Sequence, residues 1–246
     1  MNDGATARRP HAVLDLQSRN LKAMKIERLL DLDSRPQPLK ILEIGTGAGG
    51  IAHYFGTHPQ LRCEVTAVDV CDNRIVRSGY QYRQVQGVEL PFDSASFDVV
   101  LTNHVIEHVG NVDAQQKHLQ EVRRVMKNDG LGYLAVPNRW MLIEPHYRLA
   151  FLSWLPHAWR TPYLRLMHKG NFYDVEPMQL RQLERLLAAT GFRFNNICIQ
   201  AWRVTFDIER PHTLSTRLLR STPDFFLKPL RRIIPTLIYR IEHSSA

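Results

Sequence analysis

The stretch LEIGTGAGG, Leu42 to Gly50, joins an apolar run to a loop with glycines at positions 45, 47 and 50. Glycine has no side chain, so the backbone there can turn tightly and approach a ligand closely. The run KILEIG predicts a buried strand, and GGIAHYFG predicts the opening of a helix whose first N–H groups lack intrahelical partners. The stretch therefore predicts a strand–loop–helix unit that holds a nucleotide.

Short apolar runs alternate with patterns of helical spacing on both sides of this stretch. Such alternation with short links is typical of an α/β fold, a parallel sheet with helices on both faces. Ligands of these sheets lie beyond the carboxyl ends of the strands. The predicted strands are KILEIG, CEVTAVDV, YRQVQG, FDVVLTNH and GYLAVPN, with FRFNNICIQAWRVTF supplying the closing strand or strands, and the predicted helices cover residues 13–32, 112–127 and 176–192.

The pattern changes after Pro137. Residues 139–173 contain eight aromatic residues and predict an insertion that lies over the carboxyl edge of the sheet, after the fifth strand. We predict three parts along the chain. They are an N-terminal helical segment over residues 1–37, a domain over residues 38–211 that includes the insertion, and a basic amphipathic C-terminal tail over residues 212–246.

Composition and cysteine usage favour one large globular domain. The 246 residues are 44% hydrophobic and 23% charged, which are ordinary values for a globular chain. No apolar run approaches the roughly 18–20 residues of a membrane span, and the start MNDGATARRP lacks the apolar core of a secretory signal. Cys63, Cys71 and Cys198 form no CxxC pair and indicate a reducing compartment. We expect a cytoplasmic protein.

The net charge of +8 is concentrated in two segments. Residues 139–173 carry five Lys or Arg against Glu144 alone, and residues 202–240 carry eight against three acids. Anionic lipid, nucleic acid and phosphorylated small molecules would all favour such a surface. Solubility alone is the alternative explanation.

Two kinds of nucleotide fit the glycine loop. Gly45, Gly47 and Gly50 satisfy GxGxxG, and Asp69 follows about 20 residues later, as a dinucleotide site requires. Glu43 argues against NAD, because a carboxylate two residues before Gly45 would repel a pyrophosphate. It suits a ligand that carries an ammonium and a sulfonium group.

The neighbouring segments extend the pattern. ELPFDSASFDVVLTNHVIEHV, Glu89 to Val109, gives a loop, a strand and an acid–His pair, and HLQEVRRVMKNDGLGYLAVPN, His118 to Asn138, gives a helix, a glycine turn and a strand. Together, residues 42–138 resemble the class I S-adenosylmethionine-dependent methyltransferases, in the branch that includes the ubiquinone-biosynthesis O-methyltransferases. The resemblance implies a Rossmann-like, mostly parallel sheet of seven strands, methyl transfer as the activity and S-adenosylmethionine as the cofactor.

The resemblance also implies the residues that bind the cofactor. The glycine loop would wrap the methionine half, with Glu43 on its amino group, Asp69 on the ribose and Val70 on the adenine. Many relatives have Asp where Gln86 stands, and a Gln carbonyl can accept the same hydrogen bond without charge. The full predicted set is Glu43, Gly45, Thr46, Gly47, Gly49, Asp69, Val70, Gln86, Gly87, Val88 and Asn103.

A hydroxyl acceptor would need a base of near-neutral pKa, for which histidine is suited. The candidate catalytic residues are His104 and His108 in HVIEH and His146 in the insertion. HVIEH also matches a zinc-protease pattern, which we set aside because that pair belongs on a helix of a peptidase fold. A metal held by Glu107 and His108 is a further alternative, and we predict no metal.

The acceptor is the least determined part of the prediction. YRLAFLSWLPHAWR and FFLKPLRRIIPTLIYRIE combine apolar and basic residues in the manner of segments that lie on a lipid headgroup layer. We expect a small or lipid-linked hydrophobic acceptor, O-methylation, and a position at the inner face of a membrane. A nucleic-acid methyltransferase and a non-catalytic cofactor-binding scaffold are the alternatives, and we see no nucleic-acid recognition motif.

Overall fold

The computed structural model describes residues 15–145, 147–173 and 175–244. Their helices and strands are, in chain order, α1 Leu16–Leu30, β1 Leu39–Ile44, α2 Gly50–Gly56, β2 Cys63–Asp69, β3 Gln81–Gln84, β4 Phe97–Asn103, α3 Val112–Val125, β5 Met126–Pro137, β6 Ile143–Glu144, β7 Leu149–Ala150, α4 His157–Leu166, α5 Leu180–Ala189, β8 Phe192–Asn196, α6 Cys198–Glu209, α7 Leu214–Ser221, α8 Asp224–Leu227 and β9 Thr236–His243. None of the described helices is both long enough and apolar enough to cross a bilayer.

Seven of the strands form one sheet in the order β3-β2-β1-β4-β5-β9-β8. The strand pairs β3–β2, β2–β1, β1–β4 and β4–β5 are parallel, and β9 runs antiparallel to its neighbours β5 and β8. The predicted Rossmann-like sheet of seven mostly parallel strands is therefore confirmed. β1 and β4 lie at its centre and are buried along almost their whole length, because helices cover both faces of a parallel sheet.

Helix α1 packs against α2 and α6 on one side of the sheet. It starts where the Asp15 side chain accepts hydrogen bonds from Gln17 N and Ser18 N, and it ends at Asp31, which adopts a left-handed conformation. Its apolar face, which includes Ala23 and Ile26, joins the main core. The helix predicted over residues 13–32 extends a little beyond this end, and its first two residues lie outside the described ranges.

The segment after α5 differs from the prediction. FRFNNICIQAWRVTF forms strand β8 and then helix α6 rather than strands throughout. The Oδ1 atom of Asn196 accepts a hydrogen bond from Cys198 N at 3.2 Å, at the point where the strand ends. Cys198, Ile199 and Ala201 then bury one helical face. The prediction was wrong here because a buried strand and a buried helix look alike over so few residues.

Part of the predicted tail is also corrected. Residues 236–243 are strand β9, which lies between β5 and β8 in the main sheet. Leu237, Tyr239 and Ile241 are fully buried there. The segment has an amphipathic and basic sequence, but its backbone hydrogen bonds go to strands on either side. Earlier in the tail, α7 packs against α6, and Leu219 and Leu227 share a small core with that helix.

The residues after β5 form a small unit with its own core. β6 and β7 pair as a short hairpin, and the buried side chains that form the core are Leu149, Leu152, Leu164, Tyr173 and Val175. The base of this unit closes where Asn138 and Met178 form a parallel bridge. The insertion is thus tied to the carboxyl end of β5, although many of its aromatic side chains remain exposed.

Candidate active site

The glycine loop between β1 and α2 has the backbone that the sequence predicts. Gly45, Gly47 and Gly49 have φ values of +75°, +53° and +84°, a region that side chains strongly disfavour. A Cβ atom on Gly45 would lie 2.4 Å from Cγ2 of Val105, and one on Gly49 would lie 2.4 Å from the carbonyl oxygen of Val76. The loop is therefore a cradle that larger residues could not form.

Glu43 is buried beneath this loop. Its Oε2 atom accepts hydrogen bonds from Thr46 Oγ1 at 2.7 Å and from Ala52 N at 3.0 Å. Burial raises the pKa of Glu43 to about 8, although the two hydrogen bonds and the positive charge of Arg19 oppose the shift. A ligand with a positive charge would favour the ionised carboxylate, as the prediction for Glu43 requires.

Asp69 ends strand β2, beside β1. Its Oδ2 atom accepts a hydrogen bond from Gly47 N at 2.8 Å, and its Oδ1 atom accepts one from Val70 N at 2.7 Å. The carboxylate therefore lies against the glycine loop, where it could also reach the hydroxyls of a bound ribose. Val70 is about half exposed, and an apolar side chain at this edge suits an adenine ring.

The residues predicted on the far side of the adenine follow β3. Gln86 and Gly87 are exposed and Val88 is half-buried. Gly87 has a φ of +66°, and a Cβ atom there would meet nothing within 4 Å. Glycine is thus favoured at this position by the turn and not by crowding. Asn103 ends β4 on the other side of the loop.

This arrangement fits S-adenosylmethionine. Bare backbone at Gly45 and Gly49, a buried carboxylate at Glu43 and a second carboxylate at Asp69 lie within one loop and two neighbouring strand ends. The first acid matches an ammonium and a sulfonium, and the second matches vicinal hydroxyls. These are the residues that would hold the cofactor.

His104 follows β4 directly and has a positive φ of 60°. Its amide donates to the Ala135 carbonyl at 2.9 Å, and its Nδ1 atom lies 3.2 Å from Oε1 of Glu107. Positive φ is uncommon outside glycine and strained for most residues. The next residue, Val105, packs against Gly45, so the His104–Glu107 pair lies beside the glycine loop.

Glu107 is the second buried acid of the site. Its side chain is fully buried, and among the described residues its Oε2 atom has no hydrogen-bond partner. Its charge acts on Lys22 of α1 and on His118 of α3. Burial lowers the pKa of His118 to about 4, so this histidine is neutral, and its Nε2 atom lies 3.4 Å from Thr102 Oγ1.

The other two predicted histidines have different outcomes. His108 ends a short 3-10 turn and its amide donates to the Val105 carbonyl, so its role in catalysis stays a prediction. His146 lies outside the described residues. Within the ranges that the structure describes, no group of three or more His, Cys, Asp and Glu side chains is arranged to hold a metal ion.

Helix α1 contributes to the site in a way that the sequence did not predict. Arg19 packs its Cβ atom 2.7 Å from the position that a Cβ atom on Gly50 would take, and Lys22 lies near Glu107. The available signal was the basic residue at every third position of RNLKAMK, within a predicted helix. Such spacing is more often a solvated face, and only the packing of α1 on α2 and α6 distinguishes the two.

Comparison with known proteins agrees with this geometry. Residues 42–134 match the family model described as a methyltransferase domain. The matched range runs from the end of β1 into β5, and thus contains both buried acids.

Related proteins carry out methyl transfer to different acceptors. Ubiquinone biosynthesis O-methyltransferase of Pelagibacter ubique is 24% identical over 186 residues, which cover 69% of this chain and 70% of that protein. Sarcosine/dimethylglycine N-methyltransferase of Aphanothece halophytica is 30% identical over 118 residues, 43% of this chain and 40% of that protein.

A solved structure shows the same fold. Phosphoethanolamine N-methyltransferase 2 of Haemonchus contortus, solved in complex with S-adenosyl-L-methionine, superposes with a TM-score of 0.53 at 15% identity and covers 90% of this chain and 52% of that one. The glycine cradle, the matched domain and the shared fold lead to one conclusion. The chain is an S-adenosylmethionine-dependent methyltransferase, similar in sequence and fold to the class I enzymes.

Proposed function

We propose that this methyltransferase acts on an oxygen atom of a hydrophobic acceptor, small or lipid-linked, and works at an anionic membrane surface. The observation that carries the choice of oxygen is the His104–Glu107 pair. A hydroxyl must lose a proton as it attacks the methyl group, and this pair lies at the end of β4, one residue from the Val105 contact with Gly45.

Glu107 orients the base. The cofactor, when bound, supplies an electrophilic methyl group on a sulfonium. A buried carboxylate facing Nδ1 favours the tautomer in which Nδ1 carries the hydrogen and Nε2 is basic. Nε2 of His104 then takes the acceptor proton, and Glu107 stabilises the imidazolium that results. The side chain of His104 is about one-fifth exposed, so it is reachable from the site and largely shielded from water.

Exposed apolar side chains support a hydrophobic acceptor and a membrane surface. They lie in two places, the insertion and the α7–α8 segment, and in both places arginine and lysine lie nearby in the sequence. Large exposed apolar side chains beside basic residues suit a lipid headgroup layer. The exposed set is Trp140, Leu142, Ile143, Phe151, Trp154, Trp159, Leu166, Met167 and Phe172 in the insertion and Leu214, Leu218, Phe225 and Phe226 in the α7–α8 segment.

Labelled cofactor and a total cell extract test the reaction. Label should enter the lipid or small-molecule fraction and remain there on an oxygen atom. With that acceptor, His104→Gln should lower kcat by about 10²–10⁴-fold and leave cofactor affinity within twofold, whereas His157→Gln on the insertion should change neither. Label in RNA or protein, or full turnover by His104→Gln, would contradict the proposal.

Flotation with liposomes tests the membrane surface. The wild-type protein should be retained by vesicles that contain anionic lipid and not by neutral vesicles, and retention should weaken as salt is raised. A Phe225→Ser, Phe226→Ser double variant should lose retention, because both side chains are mostly exposed and neither supports the core. Val112→Ser, at an exposed apolar position outside both segments, is the control and should be retained. No retention of the wild type would discard membrane binding.

A further inference from the structure

Two cavities lie side by side between α1, α6 and the segment that leads into β9. The first has a volume of about 220 Å³ and is lined by α1 and α6. The second has a volume of about 540 Å³ and is lined by α6, Leu230, residues 233–236 and Ile238, with Lys25 of α1. Lys25 and Thr205 line both cavities. The two spaces therefore meet at a shared wall.

The smaller cavity is cationic. Among the described residues that line it, Arg19, Lys22 and Lys25 face a single acid, Glu209. Within the same part of the chain, the ammonium groups of Lys22 and Lys25 make no hydrogen bond or close ion pair. Burial lowers the pKa of both lysines, that of Lys22 to about 7, with further lowering by its cationic neighbours. An oxyanion placed here would relieve this repulsion.

The larger cavity is apolar. Its wall includes Trp202, Leu230, Ile233 and Ile234, and Lys25 is the one charged residue among the described residues that line it. Its volume lies in the range of about 300–1,000 Å³ that small-molecule sites occupy. Such a space takes a hydrocarbon chain or ring, with Lys25 at the end that faces the cationic cavity.

Both cavities lie near the carboxyl edge of the sheet, where the active site is. Thr236, which lines the apolar cavity, pairs with Pro137 at the end of β5. At the cationic end, Arg19 lies against Gly50 of the glycine loop, and Lys22 is close enough to Glu107 for their charges to interact. The cationic cavity is therefore next to both the cofactor cradle and the His104–Glu107 pair.

We infer that the two cavities form one site for an anionic amphiphile, with a carboxylate or phosphate held by Arg19, Lys22 and Lys25 and a hydrocarbon portion held against Trp202 and Ile233. This inference rests on the proposed function and names the class of its acceptor: a hydrophobic molecule that carries an acid group close to the atom that is methylated. Neither the cations nor the apolar wall alone would select such a molecule.

Calorimetry with simple probes tests the site. The probes are dodecanoate, dodecyl phosphate, dodecanol, acetate and inorganic phosphate, each added to the full-length protein saturated with S-adenosylhomocysteine. Dodecanoate, dodecyl phosphate or both should bind at least tenfold more tightly than dodecanol, acetate and inorganic phosphate. Comparing dodecanoate with dodecyl phosphate shows which acid group the site prefers. Equal binding of dodecanol would overturn the inference.

Matched variants locate the binding. Lys25→Met should lower the affinity for the preferred probe at least tenfold, and Lys25→Arg should keep most of the wild-type affinity. Ile233→Trp should also lower the affinity, because the larger side chain fills the apolar cavity. Lys228→Met removes an exposed lysine that lies two residues before Leu230 of the apolar wall, and it should have no effect. Cofactor affinity should stay within twofold in all four. Loss of cofactor affinity alone in Lys25→Met would assign the cations to the cofactor and overturn the inference.

Competition separates this inference from the proposed function. The preferred probe should inhibit methyl transfer competitively with the acceptor recovered from the extract. Transfer to an acceptor without an acid group, or binding of the probe without inhibition, would overturn the inference and leave O-methylation standing. Intact cofactor binding with no transfer to any lipid or small molecule would overturn the proposed function, whatever the probe does.

Discussion

The two halves of the carboxyl edge are built in different ways. The donor half, from Glu43 to Asp69, comes from one short continuous segment, and its two acids accept hydrogen bonds from the backbone amides of Gly47 and Ala52 and from the Thr46 hydroxyl. The acceptor half that we propose draws on α1, α6 and the segment before β9, and α1 is far from the other two in the chain. A site made from local backbone geometry leaves a signature in the sequence, whereas a site made by packing distant helices does not.

Asp69→Ala should have the largest effect, a loss of cofactor affinity that leaves acceptor binding unchanged. Two ribose hydroxyls that donate to one carboxylate account for about 3–4 kcal/mol, so cofactor affinity should fall by more than about 100-fold. Isothermal titration with S-adenosylmethionine measures the change. Asp72→Ala, which removes an ion pair with Arg74 at the surface, is the matched control and should bind normally.

The same titration would break the comparison if Asp69→Ala bound the cofactor as tightly as the wild type. The donor half would then not depend on the carboxylate that its sequence pattern predicts. If Asp69→Ala lost the binding of the anionic probe as well as the binding of the cofactor, the donor and acceptor halves would not be separate.

Glu43 should give the donor half a pH signature. A carboxyl whose pKa rises from 4.5 to about 8 on folding keeps a proton that the unfolded chain has released. The free energy of unfolding of the unliganded protein should therefore fall as pH rises through this window. Glu43→Gln has no carboxyl to titrate and should not show this decrease. The difference in free energy of unfolding between Glu43→Gln and the wild type should therefore increase in favour of the variant by up to about 1.4 kcal/mol per pH unit.

Urea unfolding of both proteins at three pH values within this window, without cofactor, measures the difference. Added S-adenosylmethionine should reverse it at the upper end of the window, since a cationic ligand favours the ionised Glu43. Parallel stability curves for the two proteins would show that the buried carboxyl is ionised throughout and that burial does not hold its proton.

Asn138→Ala should affect the acceptor half instead. Its buried Nδ2 atom donates to the carbonyls of Arg232 and Ile234 at 2.9 Å each, and its Oδ1 atom accepts from Trp140 N. The variant should lose about 2–3 kcal/mol of stability and weaken acceptor binding more than cofactor binding. Urea unfolding and the two calorimetric titrations measure both, with Asn171→Ala at an exposed position as the control. A larger loss of cofactor affinity than of acceptor binding would contradict the division.

Much of the fold could be predicted from the sequence because the donor half and the strands β1 to β5 carry local signals. Glycine at three positive φ angles, an acid at the end of β2 and the HVIEH segment after β4 all lie where the pattern placed them. Each of these features depends on residues within a few positions of one another. Their roles in binding and catalysis stay predictions.

The rest could not be predicted because its structure depends on distant partners. Residues 236–243 end in Arg240, Glu242 and His243, which is typical of an exposed segment, and they form an interior strand only because β5 and β8 flank them. Likewise, Lys22 and Lys25 would be ordinary surface lysines on an isolated helix, and the packing of α6 makes their face a cavity wall. The spacing of Arg19, Lys22 and Lys25 along α1 does not by itself distinguish this contact from a solvated face.

The position of β9 also sets an order of assembly. Strand β8 leaves the ribosome before β9, yet its sheet partner is β9, which in turn pairs with β5. A nascent chain that has reached α6 can already align β1 to β5 and shape the glycine loop, while β8 has no sheet partner until residues 236–243 are translated. Donor recognition would thus become competent before acceptor recognition, with an interval between them in which chaperones could bind the uncovered apolar helices.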